Sequence, residues 1–224
     1  MSLSVVLYAE GPAEDRGALN WLPAPGETLQ PEMLGPAHRL LTRLIAQDHS
    51  IPRPAVQFVS PLMVGPRAHR GSDLHTIKTL RKLLTFAAPT RRPQLAVVVV
   101  DEDAEPDRRR TLLAGCDDLD LPRVIAVCIR EFEAWLIADS RALVKVLGVT
   151  ETPAAPESMR VGEAKQLLQR WMAAAPTAAT PSPSTDHALP LRTALAEQVE
   201  LNVLDRLSAF RAFRNDLRAA LRPA

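Results

Sequence analysis

Two short apolar runs anchor the pattern of this chain. Leu3–Tyr8 is rich in β-branched residues and predicts a buried strand. Leu95–Val100 is continuously apolar, as in a parallel strand covered on both faces. Arg123–Ile129 predicts a further buried strand, and Ala55–Val59, which alternates weakly, another. Between them the period becomes helical. Leu40, Leu41, Leu44 and Ile45 share one face of Pro36–Gln47. Leu74, Ile77, Leu80, Leu83 and Leu84 share one face of Ser72–Ala87, with Ser72 or Asp73 as its cap. Asp107–Ala114 predicts a short helix, and Glu131–Leu147 a longer one stopped by Gly148. Ala13–Gly35, dense in Pro and Gly, predicts a long loop with room for one helical turn at its start.

This alternation predicts an α/β fold over residues 1–150, a mostly parallel sheet with helices on both faces. After about residue 150 only helical patterns remain. Val161–Ala174 and Leu189–Ala220 are separated by a Pro-, Ser- and Thr-rich loop at 175–186, so 151–224 is a helical C-terminal region that packs on the sheet domain or extends it. Val203, Leu204, Leu207, Phe210, Phe213 and Leu217 form an amphipathic stripe there. Packing against the sheet is its default use, and a partner or homodimer face is the alternative.

Composition narrows the class. The 46% hydrophobic content supplies a core, and at 4% aromatics Ala, Leu and Val must fill most of it. A net charge of +1 gives no global pull toward nucleic acid. Cys116 and Cys128 lack metal-ligand or redox spacing and read as reduced thiols. With no signal-peptide pattern and no run of spanning length, the expectation is a cytoplasmic protein without a membrane segment.

The candidate chemistry lies at two strand ends. Ala9-Glu10-Gly11-Pro12-Ala13-Glu14 follows the first strand, and Asp101-Glu102-Asp103 follows the Val-rich one. Ligands of parallel sheets gather at the carboxyl ends of strands, near a topological switch point. Were the two strands neighbours, Glu10, Asp101 and Asp103 would converge as oxygen ligands for Mg²⁺ or Mn²⁺. Gly11 leaves room there for a phosphate or a tight turn. The plainer reading is that acids after strands cap the helices that follow. A third acidic strand end, Glu131-Phe132-Glu133, adds Glu133 as a further candidate, although acids also suit a helix start. Trp135 reads as core, and Asp139 as a polar helix position.

The order strand, Glu-Gly, long α/β interval, strand, Asp-x-Asp resembles the Toprim domain of topoisomerases, primases and overcoming-lysogenization-defect nucleases. The resemblance implies acid–base or metal roles for Glu10 and Mg²⁺ binding by Asp101 and Asp103. It also implies a role for Glu14, in Glu-x-x-x-Glu spacing, at a second metal of nuclease type. The chain is similar, more closely, to an uncharacterised bacterial Toprim-like family. That likeness rests on the Glu-Gly-Pro-x-Glu, the Asp-x-Asp, the segment Glu131-Phe132-Glu133-Ala134-Trp135-Leu136-Ile137-Ala138-Asp139 and the tail Ser208-Ala209-Phe210-Arg211-Ala212-Phe213. Ala104-Glu105-Pro106 replaces the topoisomerase continuation, which speaks against a topoisomerase or primase role.

From His49 to Val100 the single acid is Asp73, against Arg53, Arg67, Arg70, Lys78, Arg81, Lys82, Arg91 and Arg92. Such asymmetry suits a phosphate-binding surface, with Arg67, Arg70, Lys78 and Arg81 as contacts beside Gly11; a solvated helix face is the alternative. His75 lies in the same stretch; a general acid or base role is open to it, but a lone His is more often structural. The expectation is a Mg²⁺-dependent phosphodiester hydrolase, a nuclease acting on nucleic acid, with Glu10, Glu14 and Glu133 catalytic. The resemblance implies bacterial defence and an ATPase protein partner. The competing expectation is a non-catalytic Toprim-like module that binds nucleic acid or a protein partner.

Overall fold

The computed structural model describes residues 2–17, 23–64, 67–85, 93–151, 153, 155–175 and 188–222. Its sheet has four parallel strands in the order β2-β1-β5-β6, formed by β1 (Leu3–Ala9), β2 (Val56–Val59), β5 (Leu95–Asp101) and β6 (Arg123–Cys128). The chain leaves β1 for β2 on one side and later returns to β5 on the other. The carboxyl ends of β1 and β5 therefore form the topological switch point. In register, Ala9 lies beside Val99 and Asp101 beside Cys128.

The continuous apolar runs follow from burial on both faces. Leu7, Ala9, Val97, Val99, Ala126 and Cys128 face one core, shared with α2 (Pro36–His49) and the C-terminal helices. Tyr8, Val98, Val100 and Val127 face the other, shared with α3 (Ile77–Thr85) and α4 (Arg108–Ala114). The protein is thus α/β with helices on both faces, as expected. A small hairpin, β3 (Met63–Val64) and β4 (Arg67–Ala68), occupies part of what reads in sequence as loop.

Three expected helices are broken, each where a side chain or turn captures the backbone. Ser72–Ala87 becomes a 3₁₀ turn at Gly71–Asp73, then α3 from Ile77, so neither Ser72 nor Asp73 caps the helix. Glu131–Leu147 splits into α5 (Glu133–Leu136) and α6 (Ser140–Leu147), because Asp139 accepts the Arg141 N–H at 2.9 Å as an N-cap. Leu189–Ala220 splits into α8 (Ala188–Gln198), α9 (Leu201–Leu204) and α10 (Ser208–Ala220). There the Glu200 N–H donates to Asp139 and the Ser208 N–H to Glu157, both at 2.8 Å. Before them run the one-turn α1 (Pro12–Asp15) and, after residue 150, α7 (Glu163–Ala174). Apart from Ala175, the 175–186 interval lies outside the described residues.

The C-terminal helices close the first core. Trp135, buried, stacks on Phe213 with ring centroids 5.7 Å apart and meets Phe210 edge-on at 5.1 Å. The Glu-Ala-Trp segment and the Phe-containing tail are therefore two halves of one aromatic cluster. Leu204, Phe210, Phe213 and Leu217 are buried, so the amphipathic stripe packs inward. No helix among the described residues is long and apolar enough to cross a membrane.

Candidate functional site

The switch point joins the two acidic signatures through the backbone. Glu10 continues β1, its N–H donating to the Val99 carbonyl at 3.0 Å. Its carboxylate accepts the Asp101 N–H at 2.8 Å. An aspartate amide nitrogen and its own carboxylate oxygens are at most ~5 Å apart, which with this 2.8 Å bond holds the Glu10 and Asp101 carboxylates within about 8 Å.

Strand parity sends these acids to different sides. Asp101, in phase with Val99, turns toward the core beneath α5, where its Oδ1 accepts the Phe132 N–H at 2.8 Å. Glu14, from the one-turn α1, and Glu133, from α5, occupy the same buried side. Burial, and then the neighbouring carboxylates Glu14, Glu10 and Glu133, push the Asp101 carboxyl up to about 9. Burial, followed by Glu133, pushes Glu14 up to about 7. Glu133 is not a free ligand: Arg192 of α8 donates to it at 2.6 Å, with both side chains at most 4% exposed.

Glu10 lies on the opposite, half-exposed side, where its Oε2 is 3.0 Å from His75 Nε2. Glu10, His75 and Asp103 offer ligand atoms all within 4.8 Å of one another. Among the described residues this compact set differs from the expected Glu10, Asp101 and Asp103 by one member: His75 stands where Asp101 was expected. The chemistry of this donor set fits a divalent cation. The donors are two carboxylates and an imidazole. On the other, buried side, Glu14 Oε2 has no hydrogen-bond partner among the described residues. The missing Cβ of Gly11 lets that carboxylate pack against the backbone, since a Cβ there would come within 2.5 Å of the same oxygen.

Cations frame these acids, though mostly not the expected ones. Arg70 is bound to Asp15 at 2.7 and 2.8 Å. Arg81 is held by Asp118 and the Gly115 carbonyl, by the loop that precedes β6. Lys78 is exposed on α3. The Arg67 side chain, together with Arg91 and Arg92, lies outside the described residues. Arg108 instead binds Asp103 at 2.8 Å as well as the Asp101 carbonyl. Arg130 donates to the Asp103 carbonyl and lies 3.6 Å from Glu102. Both Asp103 and Arg130 have left-handed backbone, with φ of 51° and 66°, a conformation that non-glycine residues adopt at some cost and that recurs at functional sites. Sequence reading missed Arg108, Arg130, Arg192 and the role of His75. A faint signal existed for Arg108: Arg108-Arg109-Arg110 opens a helix at the end that disfavours cations, so acids must lie nearby.

Two outcomes follow from this geometry. Gly11 has φ of −114°, which any residue adopts, so Gly11→Ala strains only the Glu14 carboxylate. A loss of about 1 kcal/mol, a few degrees in Tm, is expected together with a clear drop in divalent-cation affinity. Unchanged affinity by calorimetry would count against Glu14 belonging to the site.

The second outcome concerns pH. Glu14 and Asp101 rise from ordinary values of 4.5 and 3.8 to about 7 and about 9. At these two groups the folded chain thus holds more protons than the unfolded chain between about pH 4 and 9, and their contribution to stability falls as pH rises through that window; buried His38, lowered to about 3, opposes them only below about pH 6.5. In EDTA, Tm is expected to be lower at pH 8.5 than at pH 5.5, and a divalent cation to restore more at the higher pH. Asp101→Asn should flatten the slope; an equally steep slope in that variant would contradict the assignment. Comparison of the chain with protein-family models, curated proteins and solved structures finds no match.

Proposed function

We propose that this protein is a divalent-cation-dependent phosphodiester hydrolase, a nuclease, built on a Toprim-like α/β core. One observation carries the reading: the acids ending two neighbouring parallel strands meet at the switch point, with Glu10 accepting the Asp101 N–H at 2.8 Å. Glu10, Asp103 and His75 would hold a cation at the half-exposed side, and Asp101 and Glu14 support it from beneath. When bound, such an ion supplies Lewis-acid stabilisation of the phosphoryl oxygens and acidifies a bound water.

The chain's own residues do the rest. The Asp101 N–H orients the Glu10 carboxylate through Oε2, the oxygen that also faces His75. Arg108 restrains Asp103. Arg130, about two-fifths exposed, stands at the rim where it can meet a phosphate oxygen. The Arg192–Glu133 pair keeps one carboxylate neutralised within a dense acidic cluster.

The resemblance to bacterial Toprim-like proteins adds a defence setting with an ATPase partner. The test is cleavage of single- and double-stranded DNA and RNA with Mg²⁺ or Mn²⁺, for the intact protein and for Glu10→Ala and Asp101→Ala. Metal-dependent cleavage, abolished by EDTA and in both variants, is expected. Cleavage that persists in both variants would remove these acids from the chemistry, and none from the intact protein on any substrate would leave a non-catalytic binding module.

A further inference from the structure

His75 is the one nitrogen donor in the half-exposed acidic cluster, and local structure aims it there. The Gly71 N–H donates to the Glu10 carbonyl at 2.9 Å, which ties the turn after β4 to the end of β1. Gly71 has φ of +55°, and no atom approaches the place of a Cβ; glycine is required by the backbone conformation, not by space. The 3₁₀ turn Gly71–Asp73 follows, and the His75 N–H donates to the Ser72 carbonyl at 3.2 Å. Leu74, fully buried, anchors the segment on one side, and Ile77 packs into the same core on the other. Helix α3 begins only at Ile77, so the imidazole projects from a turn toward Glu10.

The separation also suits shared coordination. Two adjacent octahedral ligands, each about 2.1 Å from an ion, are ~3.0 Å apart, and His75 Nε2 lies 3.0 Å from Glu10 Oε2. The side chains of His75, Glu10 and Asp103 are 22%, 21% and 42% exposed, so an ion can enter from solvent. Asp103 gives one oxygen to Arg108 and keeps another. The donor set is then oxygen, nitrogen, oxygen. Mg²⁺ is a hard ion that favours oxygen and gives up water reluctantly, whereas first-row transition ions accept imidazole readily.

We propose that His75 ligates, through Nε2, the divalent cation held by Glu10 and Asp103, and that this nitrogen makes the site favour Mn²⁺ over Mg²⁺. The inference rests on the cation-site reading above and deepens it: the imidazole sets which ion the site takes. In the cation-free chain the Nε2–H donates to Glu10 and keeps the ring in place; when a cation binds, that proton leaves Nε2 to solvent and the ring carries its proton on Nδ1.

The test uses the full chain loaded with Mn²⁺. Pulsed electron paramagnetic resonance should show ¹⁴N modulation from a directly bound imidazole, absent in His75→Gln. In calorimetric titrations, His75→Gln should weaken Mn²⁺ binding at least about tenfold, with a distinctly smaller effect on Mg²⁺. His75→Asp, which restores an oxygen donor, should bring Mg²⁺ binding back toward or above the wild-type level while leaving Mn²⁺ weaker. Mn²⁺ bound without ¹⁴N coupling, or equal losses for both ions in His75→Gln, would overturn the role of His75 and leave the acidic cation site standing. Absence of binding of either ion to the wild-type chain would overturn both.

Discussion

Asp101→Asn is expected to abolish metal-dependent phosphodiester hydrolysis while leaving the cation-free protein as stable as before, or more so. The two effects have opposite signs because the same carboxyl group causes both. Asn keeps the shape of Asp and an oxygen to accept the Phe132 N–H, now held at 2.8 Å. It removes a group that burial and the carboxylates of Glu14, Glu10 and Glu133 push up to about 9. Above neutral pH, ionising that group in the folded chain opposes stability, and Asn lifts the burden. Activity behaves differently, since electrostatic stabilisation by a correctly held ion contributes several kcal/mol to the transition state. Its loss should lower kcat/KM about a thousandfold, ~4 kcal/mol. The check is kcat/KM on a nucleic-acid substrate beside Tm in EDTA. A variant that loses activity and stability together would instead mark Asp101 as a structural residue.

Arg192→Met is expected to have the largest effect on stability. Arg192 and Glu133 are 59 residues apart in sequence, yet their charged groups meet at 2.6 Å inside the protein. Removing the arginine leaves Glu133, 1% exposed, as an unpaired buried acid beside Glu14 and Asp101. Breaking one half of such a pair destabilises by about 3–5 kcal/mol, whereas replacing both halves with apolar groups is often far milder. The helix that carries Arg192 is also held by Arg43, which donates to the Ala196 and Val199 carbonyls, so the damage should remain local to the site side of α8. Urea denaturation of Arg192→Met, Glu133→Leu and the double variant measures the coupling. The double variant should recover most of the loss. A single-variant loss below about 1 kcal/mol would show the pair to be solvated in solution.

How much was legible in the sequence depends on how local each feature is. Leu3–Ala9 and Leu95–Val100 declare themselves because burial on both faces leaves Ser4 and Tyr8 as their only polar side chains, and the acids directly after them then mark the strand ends. The strands' adjacency could be posed in advance only as a condition, since strand order is set by packing between distant segments. The breaks between α8, α9 and α10 were hidden for the same reason: Asp139 and Glu157 capture the backbone of residues more than fifty positions away. His75 was hidden by its helical surroundings. Its neighbours Leu74 and Ile77 fit one apolar face, but the 3₁₀ turn breaks that face and aims the imidazole at Glu10. The basic stretch misled for a related reason. Arg70 and Arg81 carry charge in the expected region, but Asp15 and Asp118 claim them, while Arg108, Arg130 and Arg192 reach the acids from elements read as unrelated.

The central claim is that the carboxylates at the ends of β1 and β5 hold a divalent cation. Calorimetric titration of Mn²⁺ and Mg²⁺ into the intact chain, and into Glu10→Gln and Asp101→Asn, tests it most directly. Saturable binding to the intact chain is predicted, with release of protons near neutral pH because the raised Asp101 and Glu14 carboxyls must ionise to face the ion. Both variants should bind at least about tenfold more weakly, as expected when a group that holds or supports an ion is lost. Absence of saturable binding up to about 10 mM, beyond the range of ordinary weak divalent sites, would contradict the account.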